Sequence, residues 1–202
     1  GEMNGRPFPV EKVLRSIEKA AATGLHIKIN MVVQKDSNDQ DIIPMAKYCF
    51  EKGYTLRFIE YMDVGNTNRW NMAQVVPSQH ILEMIHKEMP VQPVVSNDNG
   101  EVAKRYRYVG TNKEIGFISS VTEAFCSDCN RARISADGKL YTCLFATTGT
   151  DVKGLLQNKC DEEVKIQLES IWLQRQDRYS EERSKLNETR SSNKIEMSYI
   201  GG

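Results

Sequence analysis

The order helix, glycine, strand occurs twice in the first sixty residues, and it constrains the fold more than any other feature. Residues 10–21 and 42–50 carry apolar side chains at helical spacing, and a glycine follows each range. Residues 26–33 and 55–62 come next and have the composition of strands. Strands that alternate with helices predict a parallel sheet with right-handed crossovers. We therefore predict an α/β fold.

Two strands are too few for such a sheet. A parallel sheet is buried on both faces and needs further neighbours. The sequence begins with the polar turn 1–7 and then a helix, with no strand before them. We therefore expect that the first strands of the sheet are missing from this chain.

The rest of the chain predicts shorter elements. Ser78 is expected to be the N-cap of a helix, and residues 90–100 are expected to be a linker. Residues 103–119 predict two short strands that meet at the turn 110–113. Residues 161–190 predict one or two charged amphipathic helices.

Three cysteines, Cys126, Cys129 and Cys143, have the spacing C-x2-C-x13-C. Two thiols separated by two residues can bind one metal centre from a single tight turn. The pair Asp137-Gly138 is a strong hairpin signal between them and the third thiol. A hairpin would bring Cys143 back beside the first two, so the spacing predicts a metal site.

The type of metal is less constrained. Structural zinc requires four ligands, and only Cys49 or Cys160 could add a thiolate, although neither belongs to a matching motif. The histidines His26, His80 and His86 are remote in sequence. Three thiolates suit a [4Fe–4S] cluster with one iron open for a substrate atom, and a structural zinc site stays as the alternative.

Basic residues surround the cysteines. Residues 104–153 contain eight basic and five acidic side chains, a net charge of +3. If their segment is extended, Arg131 and Arg133 project from one face. Two guanidinium groups beside a metal suit a phosphate or another polyanion, and a solvated basic surface is the alternative.

Polar side chains also interrupt the two predicted strands. Lys28 and Asn30 lie on one face of the first strand, and Arg57 lies in the second. In a barrel, inward-facing polar residues of this kind line the active site. The alternative is that these side chains reach solvent from the strand ends.

The segment from Phe125 to Leu140, followed by Cys143–Phe145, closely resembles the GTP 3′,8-cyclases of molybdenum-cofactor biosynthesis. Shorter matches occur in the same order along the chain, at Met3–Arg6, Lys28–Val33, Arg57–Met62 and Gly201–Gly202. This family belongs to the radical S-adenosylmethionine (SAM) enzymes. The resemblance therefore implies a lyase that converts GTP to (8S)-3′,8-cyclo-7,8-dihydroguanosine 5′-triphosphate.

The resemblance also implies the fold and the cofactors. The family has an incomplete α/β barrel with one [4Fe–4S] cluster near each end. The N-terminal cluster cleaves SAM to a radical that abstracts hydrogen from the ribose of GTP. We accordingly expect a partial (β/α) barrel, truncated at its N-terminus, over residues 1–90. A small α+β region that binds the second cluster and GTP is expected over residues 91–202.

Individual site residues follow from the resemblance alone. The expected ligands of the second cluster are Cys126, Cys129 and Cys143, and the guanine would bind its open iron. The expected GTP-binding residues are Lys28, Arg57, Arg131, Ala132 and Arg133. Met62 and Asn30 are expected to bind SAM. Gly201 and Gly202 are expected to form a tail that enters the active site.

The chain differs from the family in one large respect. The cluster that cleaves SAM requires C-x3-C-x2-C, and these 202 residues contain no such motif. The early barrel strands, the SAM-binding glycine segment and the N-terminal arginines are also absent from them. We therefore expect no activity from this chain alone, and an exposed strand edge near Lys28. Its expected macromolecular partner is the missing N-terminal half or a second copy of the chain.

Composition excludes several other functions. Lys plus Arg and Asp plus Glu both number 27, so the net charge gives no support for nucleic-acid or membrane-surface binding. No apolar run approaches the roughly 18 residues of a membrane span, and no signal peptide is visible. We expect a cytoplasmic protein whose small-molecule partners are GTP and SAM.

Overall fold

A computed structural model of the chain describes residues 9–64, 70–95, 100–186, 195–196 and 199–200. The first part contains three helices and a five-stranded sheet, and the second contains a small three-stranded sheet and three helices. The elements up to residue 118 are α1 (Val10–Ala22), β1 (Lys28–Val33), α2 (Ile42–Lys52), β2 (Thr55–Glu60), α3 (Ser78–Glu88), β3 (Val91–Pro93), β4 (Lys104–Tyr108) and β5 (Glu114–Ile118). They are followed by β6 (Arg133–Ile134), β7 (Lys139–Tyr141), β8 (Thr150–Asp151), α4 (Val152–Asn158), α5 (Asp161–Leu173) and α6 (Tyr179–Leu186).

The large sheet has the strand order β1-β2-β5-β4-β3 and is mixed. Strand β2 pairs in parallel with both β1 and β5, whereas β4 pairs antiparallel with β5 and β3. Strand β5 therefore supplies the neighbour that the first two strands needed. The described strands form no closed barrel, and β1 lies at one edge of the sheet, as expected near Lys28. This sheet also runs across residue 90, because β3, β4 and β5 follow it.

The predicted helix ends depend on glycine. Gly53 follows α2 with φ of 74°, and its N–H donates to the carbonyl of Phe50 at 3.2 Å. A left-handed residue after a helix is usually glycine because it has no Cβ to collide with the backbone. This turn directs the chain into β2. Gly24, with φ of 84°, lies at the corresponding turn between α1 and β1.

Two local predictions are wrong. Pro77, not Ser78, is the N-cap of α3, and Ser78 is its first helical residue. Residues 91–93, within the predicted linker, form strand β3 instead. Pro93 has no N–H to donate, but this strand lies at a sheet edge, where a proline is tolerated.

The core lies between one face of the large sheet and helices α2 and α3. Val33 and Phe58 of the strands, and Ile42, Ile81 and Ile85 of the helices, are each 0% exposed. Alternation along the strands places these side chains on one face and the polar ones on the other. Lys28, Asn30 and Arg57 consequently face away from the helices.

A buried carboxylate joins the end of β2 to two later segments. Glu60 is 0% exposed, and its Oε1 accepts a hydrogen bond of 2.7 Å from the N–H of Ser78. Its Oε2 accepts bonds of 2.8 Å from the N–H groups of Val121 and Thr122. These donors satisfy a charge that would otherwise be costly to bury. The link holds the segment after β5, which leads to the cysteines, against the end of β2.

Candidate functional site

The polar face of the sheet and the second part of the chain enclose a cavity of about 330 Å³. Its lining includes some of the residues that the sequence analysis connected to metal, nucleotide and SAM binding, together with several that it did not single out. The residues that line this cavity and enter the argument below are Asn30, Met62, Cys126, Cys129, Arg131, Arg133, Thr142, Cys143, Arg175 and Asp177. We call it the cysteine cavity.

The three cysteines reach the cavity by the predicted hairpin. A turn joins the first pair, with the N–H of Cys129 donating to the carbonyl of Cys126 at 3.3 Å. Strands β6 and β7 pair antiparallel around Gly138, whose φ is 83°. Cys143 follows β7, and its Sγ accepts a bond of 3.4 Å from the N–H of Phe145. The predicted hairpin between the cysteine pair and the third cysteine is confirmed, and all three cysteines line the same cavity.

The potential metal ligands in the cavity lining are the three thiols and the carboxylate of Asp177. All five cysteines are free, and neither Cys49, Cys160 nor any of the three histidines lines the cysteine cavity. Within the described ranges, no group of three or more histidine, cysteine or acidic side chains is placed to hold a metal ion. The three thiols thus share a cavity without the close convergence that one ion would need.

Electrostatics at the cavity differ from one thiol to the next. Burial raises the pKa of the Cys129 thiol, but hydrogen bonds from the backbone and guanidinium of Arg131 outweigh it and lower that pKa below the usual value. Burial raises the pKa of Cys143. Burial and the neighbouring Arg131 lower the pKa of Arg133. Hydrogen-bond donors beside Cys129 favour the thiolate, the form that binds metals.

Both predicted arginines line the cavity. Strand β6 begins at Arg133, so Arg131 precedes it, and the guanidinium of Arg131 lies 5.2 Å from the ring centre of Phe125. Ala132 between them is exposed and does not line the cavity. Two positive charges therefore adjoin the thiols, whereas the residue between them does not reach the cavity.

Lys28 and Arg57 line a second cavity of about 350 Å³ at the start of strands β1 and β2. Arg57 Nε donates to Asn30 Oδ1 at 2.9 Å, and Asn30 lines the cysteine cavity. This hydrogen bond connects the two cavities. Gly116 leaves room for it, since a Cβ there would lie 3.1 Å from Cγ of Arg57.

The predicted SAM residues, Asn30 and Met62, both line the cysteine cavity. Gly201 and Gly202 of the predicted tail, and the match at 3–6, lie outside the described residues. Just before the tail, Ile200 is 0% exposed and the hydroxyl of Tyr199 donates to Asp137 Oδ2 at 2.8 Å. The hydrogen bond from Tyr199 attaches the end of the described chain to the cysteine hairpin.

Sequence reasoning missed two groups of residues. Arg175 and Asp177 line the cysteine cavity from the segment after α5. Asp63 and Arg183 form a buried ion pair beside it, at 2.7 Å. Both groups lie in the charged stretch 161–190 or contact it. In such a stretch the sequence alone does not distinguish a buried arginine or aspartate from a solvent-exposed one. Glu60 did carry a signal, because it is a charge inside an apolar strand.

None of the described helices combines the length and the apolar character that crossing a bilayer requires.

Comparison with known proteins identifies relatives along the whole chain. The model of the family described as Molybdenum Cofactor Synthesis C matches residues 54–181. A GTP 3′,8-cyclase of Staphylococcus epidermidis is 44% identical over 204 residues, which cover 100% of this chain and 60% of the relative. The enzymes of the same name from Staphylococcus saprophyticus and Staphylococcus aureus are 43% and 44% identical over 203 residues, covering 99% of this chain. The chain thus spans about 60% of the length of these relatives.

Proposed function

Since the chain belongs to the Molybdenum Cofactor Synthesis C family, we propose that it is the substrate-side portion of a GTP 3′,8-cyclase. One observation carries this proposal. The three thiols of C-x2-C-x13-C and both arginines of the same segment line one cavity against the polar face of the sheet. The identity of 44% to cyclases along the whole chain supports the same reaction.

The chemistry of the donor set fits an iron–sulfur cluster. Cys126, Cys129 and Cys143 would bind it, because iron–sulfur clusters are held by cysteine thiolates. The hydrogen bonds that Arg131 gives to Cys129 favour the charged form that a ligand requires. When bound, the [4Fe–4S] cluster would offer one iron without a protein ligand, at which the guanine of GTP could be held. The protein's part would be to present the three thiols to the same cavity.

The basic residues around the two cavities would bind the nucleotide. We assign GTP binding to Arg131, Ala132, Arg133, Lys28 and Arg57. A guanidinium group donates two parallel hydrogen bonds to phosphate, which suits the triphosphate of GTP. Ala132 is included because it lies between the two arginines, although it does not itself line the cavity.

Binding of SAM is assigned to Met62 and Asn30. Met62 presents a flexible apolar side chain to the cavity and Asn30 presents an amide. Asn30 also holds Arg57, so the same residue would position a GTP-binding arginine. Gly201 and Gly202 are proposed to enter this site as the active-site tail.

Fold and partners follow from the same assignment. We propose that residues 1–90 are part of an incomplete radical SAM barrel and that residues 91–202 are the iron–sulfur and GTP-binding region. The edge strand β1 would then pair with strands of an N-terminal half or of a second copy. We propose a cytoplasmic location, because free thiols persist in a reducing compartment.

A structural zinc module is the alternative, and metal content separates the two. The chain is reconstituted anaerobically with iron and sulfide, and iron, labile sulfide and zinc are measured for the wild type and for C126S, C129S and C143S. The exposed Cys160 provides the matched control C160S. We expect about four irons and four sulfides per chain in the wild type and in C160S, with large losses in the other three variants. Stoichiometric zinc without sulfide would overturn the proposal.

A further inference from the structure

Arg175 contacts the cysteine turn from the segment after α5. Its Nη2 donates to the backbone carbonyl of Cys126 at 3.1 Å, and its side chain lines the cysteine cavity. Its guanidinium carbon lies 4.5 Å from the ring centre of Trp172, a cation–π distance. Arg175 is therefore held at a defined position beside the metal-binding residues.

One nitrogen of this guanidinium has no partner. Nη1 of Arg175 is shielded from solvent and makes no hydrogen bond within the described part of the chain. A buried donor without an acceptor costs free energy, so such a group in a cavity wall points to a ligand that satisfies it. The carbonyl of Cys126 does not explain it, because that carbonyl is bonded to the other nitrogen.

The charges around the cavity indicate which ligand it binds. Arg131, Arg133 and Arg175 all line it, and among the described residues Asp177 is the one carboxylate in the lining; its Oδ2 accepts a bond of 2.6 Å from the hydroxyl of Thr142. Among the arginine and aspartate side chains of the lining, three guanidinium groups outnumber one carboxylate. Such an excess favours a polyanion with oxygen acceptors, and a triphosphate has both properties.

We propose that Arg175 is a further nucleotide-binding residue. Its Nη1 donates to a phosphate oxygen of GTP, while its Nη2 holds the turn at Cys126. This inference rests on the proposed function, since it takes GTP as the ligand of the cysteine cavity. It adds a binding group that lies outside the C-x2-C-x13-C segment.

The test compares R175Q and R175K with the control R178Q. Arg178 lies three residues away, but its side chain is 60% exposed and pairs with Glu181 at 3.7 Å. GTP and guanosine are titrated by calorimetry into the iron-loaded chain, with every variant adjusted to equal iron content. Thermal unfolding of each variant shows whether it is folded.

We expect R175Q to bind GTP about tenfold more weakly, R175K to lose less, and R178Q to match the wild type. Guanosine affinity should stay unchanged in all three. Equal GTP affinity in R175Q and the wild type would overturn the inference, as would equal losses for GTP and guanosine. If R175Q does not fold, the same comparison is made with R175K, which should still bind GTP more weakly than R178Q. A wild-type chain that binds no GTP would instead overturn the proposed function.

Discussion

Arg183 Nε and Asp63 Oδ1 lie 2.7 Å apart, and their side chains are only 5% and 3% exposed. The hydroxyl of Tyr179 donates to the other oxygen of the same carboxylate, and Arg183 Nη1 donates to the carbonyl of Ser120 at 3.0 Å. This cluster attaches α6 to the loop after β2, next to Met62. It therefore fixes one wall of the cysteine cavity from the C-terminal part of the chain.

Removing one partner of this pair should destabilise the fold strongly. In R183M the carboxylate of Asp63 loses its guanidinium partner in the interior, and breaking a buried pair in this way costs about 3–5 kcal/mol. Chemical denaturation measures the free energy of unfolding. The control is E18Q, which breaks the exposed pair of Glu18 and Lys52 and should change the free energy of unfolding far less. Equal small effects in both variants would show that the buried pair is not structural.

Cys49 should resist alkylation in the folded chain. The thiol is 1% exposed, and burial raises its pKa to about 11. The reactive thiolate is therefore scarce at pH 7 to 8, and it increases as the pH rises toward that pKa. Mass spectrometry after brief iodoacetamide treatment should find Cys160 modified and Cys49 unmodified. Cys160 is the control, since it is exposed, and modification of both at similar rates in folded protein would contradict the expected burial.

Arg133→Ala should weaken GTP binding to the iron-loaded chain by about tenfold or more. A hydrogen bond to a charged group contributes about 1.5–3 kcal/mol, and each 1.4 kcal/mol corresponds to a factor of ten. Calorimetric titration measures the affinity. The matched control is K153A, because Lys153 is basic but absent from the lining of both cavities. An unchanged affinity in R133A would remove the role assigned to this arginine.

The 202 residues alone should not cyclise GTP. They contain no C-x3-C-x2-C motif to bind a cluster that cleaves SAM. Reconstituted protein is mixed anaerobically with SAM, a reductant and GTP, and 5′-deoxyadenosine and cyclised nucleotide are measured by chromatography. We expect neither product, and we expect both when an N-terminal portion with that motif is added. Formation of 5′-deoxyadenosine and cyclised nucleotide by the 202 residues alone would contradict the proposal that SAM cleavage requires an N-terminal portion.

Much of the fold is predictable because its signals are local. The helix–glycine–strand order predicted α1, β1, α2 and β2, since hydrophobic period and glycine conformation are properties of short segments. The Asp137-Gly138 signal likewise predicted the hairpin of β6 and β7. Strand β3 was missed because two prolines favoured a linker, whereas pairing with β4 at a sheet edge outweighs that preference.

The site residues that the sequence analysis did not predict are positioned by contacts between residues that are far apart in the sequence. Arg175 meets Cys126 across 49 positions, and Arg183 meets Asp63 across 120. No local pattern distinguishes these arginines from solvated neighbours such as Arg178. The cysteines and Arg131 could be predicted because one short segment carries all their signals.

The cysteine cavity is proposed to bind both a [4Fe–4S] cluster and GTP. Electron paramagnetic resonance of the reduced, iron-loaded chain tests both parts in one measurement. We predict a signal typical of a reduced [4Fe–4S] cluster that is absent in C143S, and a changed line shape when GTP is added to the wild type. A missing signal in the wild type, or a signal that GTP leaves unaltered at saturating concentration, would show that the cavity does not bind both ligands.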